Sequence, residues 1–164
     1  MKANIESFVI NYSGEVKLKI FKEDKYFKTI SIHNSGTDDF FKFLRDCCAG
    51  ISGTNSRIPF YLKYCDYSGT TIPSTAWLGG VGFSATQNKN ANSIIYTFLL
   101  SSSTLPVSTV SNEVTFNHLG LFSADNKLYA QIDLDNSVSL DTSGSTNIYV
   151  EWTLSFESPS SSAS

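Results

Sequence analysis

Apolar residues recur at every second position along most of this chain. In Glu15–Lys22, Val16, Leu18 and Ile20 share one face of an extended segment, while Lys17, Lys19 and Phe21 share the other. The polar turn Glu23-Asp24-Lys25 then predicts a hairpin whose returning strand covers Tyr26–Ile32. The period changes after that. Phe40, Phe43, Leu44, Cys47 and Cys48 fall on one face of a helix, predicted over Thr37–Ala49. Thr37 is placed to cap its N-terminus, Asp38 and Asp39 suit its positive end, and Gly50 suits its stop. Beyond it the two-residue period returns. Ile58–Asp66 reads as an aromatic strand with Pro59 confining its start to an edge, and Cys65–Ala76 as a polar connection. Gly79, Gly80 and Gly82 after Trp77-Leu78 predict a bulge or sharp bend in a strand. Ser93–Leu100 is a continuous apolar run, expected to be a strand buried on both faces. Ser101–Ser111, with Pro106, reads as a loop. Glu113–Phe122 and Lys127–Asp135 flank the turn Ser123-Ala124-Asp125-Asn126. Asn147–Phe156 alternates Ile148, Val150, Trp152, Leu154 and Phe156 against Tyr149, Glu151, Thr153 and Ser155. The Ser-rich end 158–164 is expected to be a disordered tail to a single domain over 1–157.

Many strands divided by polar turns, with one inserted helix, predict a mainly β chain: an antiparallel β-sandwich (jelly-roll/Ig-like) with one short α-helix. Its expected core includes Val16, Leu18, Ile20, Phe40, Leu44, Ile132, Leu134, Val150, Trp152 and Leu154. The 164 residues suffice for one core, and charged residues are only 16% against 13% aromatic, which excludes a collagen-like, coiled-coil or highly charged disordered chain. A net charge of −3 argues against a dedicated nucleic-acid binder, and no apolar run is long enough to cross a bilayer.

Met1–Ile10 does not read as a secretory signal. Cys47, Cys48 and Cys65 make a poor disulfide framework and are expected to be reduced, buried thiols, which points to synthesis in a reducing cytosol. Without a secretory route, the glycosylation pattern Asn11-Tyr12-Ser13 carries no meaning. Gly80-Val81-Gly82-Phe83-Ser84 fits neither a nucleophile elbow nor a dinucleotide fingerprint. His33 and His118 lack metal-ligand spacing and are expected to be structural donors. Asp133, Asp135 and Asp141 fail the test for a calcium loop: Val138 stands where a turn-making Gly is needed, and no Glu closes the loop. No catalytic residue, cofactor or metal is expected.

Charge is distributed unevenly. Residues 1–63 hold 10 Lys/Arg and 7 Asp/Glu, a balance of +3; residues 64–164 hold 2 and 8, a balance of −6; together these make the −3 of the chain. One reading is two solvated faces. The sharper one is a docking surface in which Lys17, Lys19, Lys22, Lys25 and Lys28 meet Asp133, Asp135 and Asp141 between neighbouring copies. Tyr61, Tyr67 and Trp77 are candidate aromatic platforms for a carbohydrate, with burial in a core or interface as the plainer reading.

The order of parts carries a resemblance. VKLKIFKEDKYFKTISIHNSGTDDFFKFLRDCCAG is followed by IPFYLKYCD, SGTTIPSTAWL and VTFNHLGLFSADNKLYAQIDLDNSVSLDTSGSTNIYVEWTLSF. From Val16 to Phe156 this resembles small structural proteins in the virions of tailed bacteriophages, including crAss-like phages. The resemblance implies a sandwich in which "LGLFS…LYA" is a hairpin and the last strand completes a sheet. It also implies a non-enzymatic virion protein made in the host cytoplasm, in contact with major capsid or neck and tail proteins. Within that class a capsid auxiliary or decoration component in many copies is expected. The alternatives are a head-fibre or tail/portal adaptor, or a carbohydrate-binding adhesion module.

Overall fold

The structure is a computed structural model that describes residues 11–34, 36–51, 60–83, 85–90, 92–105, 113–141 and 143–157. Among these residues nine strands and one α-helix follow in the order β1 (Asn11–Lys22), β2 (Lys25–Asn34), α1 (Asp38–Cys48), β3 (Tyr61–Cys65), β4 (Leu78–Gly82), β5 (Ala85–Asn90), β6 (Ser93–Leu100), β7 (Glu113–Phe122), β8 (Leu128–Asp141) and β9 (Thr146–Glu157). They form an antiparallel β-sandwich of a five-stranded sheet, β2-β1-β9-β6-β5, and a four-stranded sheet, β4-β3-β7-β8. Four successive hairpins alternate between the two sheets. The last strand then enters the first sheet between β1 and β6 and joins its two hairpins.

Alternation decides what lies inside. Val16, Leu18 and Ile20 of β1, Phe98 and Leu100 of β6, and Ile148, Val150, Trp152 and Leu154 of β9 point inward to meet Leu62, Phe116, Leu119, Leu121, Ile132 and Leu140 of the other sheet. Trp152 is fully buried, with Val16 and Tyr96 as its cross-strand neighbours. Every member of the sequence-derived core lies in this cluster, Leu44 as a half-buried contributor.

The helix is built as its signals require. The Phe40 N–H donates to Thr37 Oγ1 (3.4 Å), and Gly50 follows the last turn at a positive φ of 65°. The cap is also the anchor: Thr37 donates its hydroxyl to the Leu128 carbonyl (2.6 Å) and its N–H to the Tyr129 carbonyl (2.8 Å). These bonds occupy the start of β8, so α1 closes one end of the sandwich, where Phe40 and Phe43 pack on Tyr129 at 5.5 and 5.3 Å between ring centroids. Tyr12 packs against Phe40 (4.8 Å) at the same end. Burial pushes its phenol up to about 12, opposed by Asn34 and Trp152, although the Tyr12 hydroxyl and Trp152 Nε1 stop short of ideal hydrogen-bond geometry.

The glycine bulge is present. Leu62 pairs with Val81 and Lys63 with Gly79, leaving Gly80 unpaired, and both glycines have positive φ (82° and 153°). Three expectations need correction. Ser93–Leu100 is a strand with those bounds but is not buried on both faces: Ile95, Thr97 and Leu99 are only half-buried, because among the described residues no further layer covers the outside of the five-stranded sheet. The strand expected to end at Asp135 continues to Asp141. Between the pairs His118–Asp133 and Phe116–Val138, β7 has one residue and β8 four, so the bulge Leu134–Ser137 breaks the alternation. β5 was not anticipated, since ATQNKN has no apolar alternation; it is an edge strand specified by its pairing with β6. Pro59 and 158–164 lie outside the described residues.

Replacing Trp152 with Ala should remove about 3–5 kcal/mol of stability, the cost typical of a large buried aromatic. Urea denaturation should show a lowered midpoint at an unchanged slope; a near-neutral result would contradict this placement.

Candidate functional site

Three residue types associated with catalysis stand in one row on the outside of the four-stranded sheet. Register places Cys65 of β3 beside His118 of β7, and His118 beside Asp133 of β8. His118 Nδ1 lies 2.6 Å from Asp133 Oδ1, and Nε2 lies 2.9 Å from the Tyr67 carbonyl. In a thiol–imidazole pair one ring nitrogen must be free to face the sulfur; here the Asp133 carboxylate and the main chain of the following loop take both. Asn117 braces the same residue twice, accepting from the Tyr67 N–H and donating to its carbonyl, both at 2.9 Å.

This tether folds residues 66–77 back over the sheet. Trp77 and Phe122 bury Cys65 in a second apolar cluster, supported by Tyr67, Ile72, Ala76 and Leu128. Gly120 makes room, since a Cβ there would come within 3.0 Å of the Trp77 ring. Burial, with Asp66 and Asp133 adding negative charge, pushes the Cys65 thiol up to about 11, the opposite of what an attacking thiolate requires. Cysteine, imidazole and carboxylate here hold a loop in place.

The candidate aromatic platforms do not form one. Trp77 is buried rather than presented, because it roofs Cys65, while Tyr61 and Tyr67 are half-buried. The charged docking candidates are dispersed. Lys17 pairs with Glu15 (3.4 Å) and Lys19 with Glu151 (2.6 Å) on the outside of the five-stranded sheet. Lys22 and Lys28 lie over the Phe27 ring, 4.6 and 5.9 Å from its centroid, and Lys25 is exposed at the hairpin turn. Asp133 faces His118. Asp141 accepts from the hydroxyls of Ser143 and Ser145 (both 2.7 Å) and from the Ser143 N–H (2.8 Å), which hold its carboxyl below the usual range. Asp135 and Lys28 line a common groove of about 240 Å³ between the edge strands β2 and β8. Part of the charge asymmetry therefore meets within one molecule.

A second cleft of about 210 Å³, between α1 and the β7–β8 turn, is lined partly by charges already in pairs, beside Asp125 and Lys127: Arg45 donates to the buried Asp46 (2.6 and 2.9 Å), and Lys42 lies 3.4 Å from Asp39. Among the described residues no group of His, Cys, Asp and Glu could hold a metal, and no helix is long and apolar enough to cross a membrane.

Sequence reasoning passed over one feature. Phe21, Tyr26 and Tyr149 form an aromatic strip outside the five-stranded sheet, with Phe21 5.9 Å from Tyr26 and 5.6 Å from Tyr149 in edge-on contacts. The signal was present: Phe21 and Tyr149 occupy outward positions of strands whose alternation was legible, where a polar residue is the default. Comparison with known protein families, curated proteins and solved structures returns no match.

Thiol labelling checks the roof over Cys65. Cys47, expected to be a buried thiol, is instead exposed on α1; with iodoacetamide near pH 8 it should react, and Cys65 should stay protected. Because the folded thiol ionises near 11 rather than the ordinary 9.0, its contribution to stability is complete below 9.0 and is lost as pH rises through 11. Cys65 should therefore label only towards that alkaline range or on unfolding; equal labelling of both cysteines near pH 8 would contradict the arrangement.

Proposed function

We propose that this chain is a non-enzymatic structural protein of a tailed-phage virion, docking in many copies as a capsid auxiliary or decoration component. The observation that carries this reading is the placement of its polar chemistry. Cys65, His118 and Asp133 anchor a loop, and the described clefts are small, while no described element covers the outer surface of the five-stranded sheet. A protein of this build acts through surfaces rather than through a reaction centre. The order of parts from Val16 to Phe156, which resembles small virion proteins, supplies the setting.

Copies held on a lattice need only modest individual interfaces, because multivalent attachment multiplies them. Lys22, Lys25 and Lys28 are the lysines of the hairpin with no carboxylate partner among the described residues, so they are the ones available to a neighbour. A head-fibre or tail/portal adaptor is the alternative within the same class.

Quantitative mass spectrometry of purified virions of the encoding phage tests the proposal. The chain should be present at high copy number. A low copy number comparable to neck and tail proteins would favour the adaptor role, and absence from virions would refute both.

A further inference from the structure

We propose that the outer surface of the five-stranded sheet binds a neutral oligosaccharide, with Tyr149 and Tyr26 as its stacking residues. The aromatic strip lies at the hairpin end of this sheet. Tyr26 is 62% exposed and Tyr149 37% exposed, among the most exposed large apolar side chains described. Phe21 stands between them and holds both rings edge-on, at interplanar angles of 74° and 85°. Its own bulk is half-buried, so it acts as a wedge that fixes its neighbours.

Polar groups continue the surface from the strip. Lys19 lies between Thr29 and Tyr149 in the cross-strand register, and Lys17 between Ser31 and Glu151. Both lysines are neutralised on the spot, Lys17 by Glu15 and Lys19 by Glu151. The result beside the rings is a row of ammonium donors, carboxylate acceptors and hydroxyls with no local excess of charge. That is the complement of a polyol: apolar ring faces for sugar C–H groups, and paired donors and acceptors for its hydroxyls. A polyanion would require an excess of cations here, whereas the turn beside the rings sets Glu23 and Asp24 against Lys22 and Lys25. The platform differs from the one sequence suggested, since Trp77 is occupied as a roof on the opposite sheet.

Affinity electrophoresis of the full chain tests the inference, in gels cast with galactomannan, xyloglucan, hydroxyethyl cellulose or dextran, and with dextran sulfate as the anionic control. At least one neutral polysaccharide should retard the protein, and raised salt should leave the retardation intact. Tyr149→Ala and Tyr26→Ala should each weaken it by about tenfold or more, as expected when a stacking ring is lost. Both side chains are exposed, and circular dichroism confirms that each variant is folded. Lys25→Glu, at the turn, should bind as the unmodified chain does. Passage through all the neutral gels would overturn the proposal and favour a protein-facing surface. Retardation by dextran sulfate alone, abolished by salt, would overturn it in favour of a polyanion. Binding that survives both tyrosine variants would place the ligand elsewhere and also overturn it. Virion membership is read separately by mass spectrometry, so either proposal can fail without the other.

Discussion

Everything in this sandwich depends on the insertion of β9 between β1 and β6. Without it the five-stranded sheet is two separate hairpins, β1–β2 and β5–β6, and isolated two-stranded hairpins are at best marginally stable in water. β9 pairs with β1 along all twelve residues from Asn11 to Lys22 and with β6 along all eight from Ser93 to Leu100. Its inward side supplies Ile148, Val150, Trp152 and Leu154 to the centre of the core. The pairing joins the two ends of the described chain. Its closure entropy must be met before the contacts can stabilise anything, as in other folds dominated by distant strand pairs.

The central strand also places the surface chemistry. Because side chains alternate, the register that buries Trp152 between Val16 and Tyr96 necessarily directs Tyr149 and Glu151 outward, against Phe21 and Lys19 of β1. A slip of one residue would turn the core outward and disperse the aromatic strip at the same time. Core and outer face are two consequences of one register. On the other sheet, the loop over Cys65 is held chiefly by polar contacts from Asn117 and His118 to Tyr67, so an apolar patch that would otherwise face water becomes a small core of its own.

Much of this was legible in the sequence wherever one local rule governed a segment. Thr37, the two aspartates after it and the apolar face of α1 agreed with one another, and the helix formed within a residue of its expected bounds. The alternation of Val16–Ile20 and Ile148–Phe156 identified the inward faces of β1 and β9 correctly. Failures came where tertiary context overrode local pattern. β5 is polar and exists because β6 offers it an edge; β8 hides its continuation behind a polar bulge. Trp77 has no local mark of burial, since its cover depends on Gly120 and on a loop tied down from β7. The charge asymmetry was real as a count, but sequence could not show that Lys19 and Glu151 pair in space, or that Lys28 and Asp135 line one groove.

Native-state hydrogen exchange of the backbone amides tests the central role of β9 most directly. Amides of Ile148–Leu154, with their partners in β1 and β6, should be the slowest to exchange and should open together at the free energy of global unfolding. The edge strands β2 and β5 should exchange earlier. If β9 exchanged as fast as those edges while the four-stranded sheet stayed protected, the sandwich would not depend on its last strand and the account would be wrong.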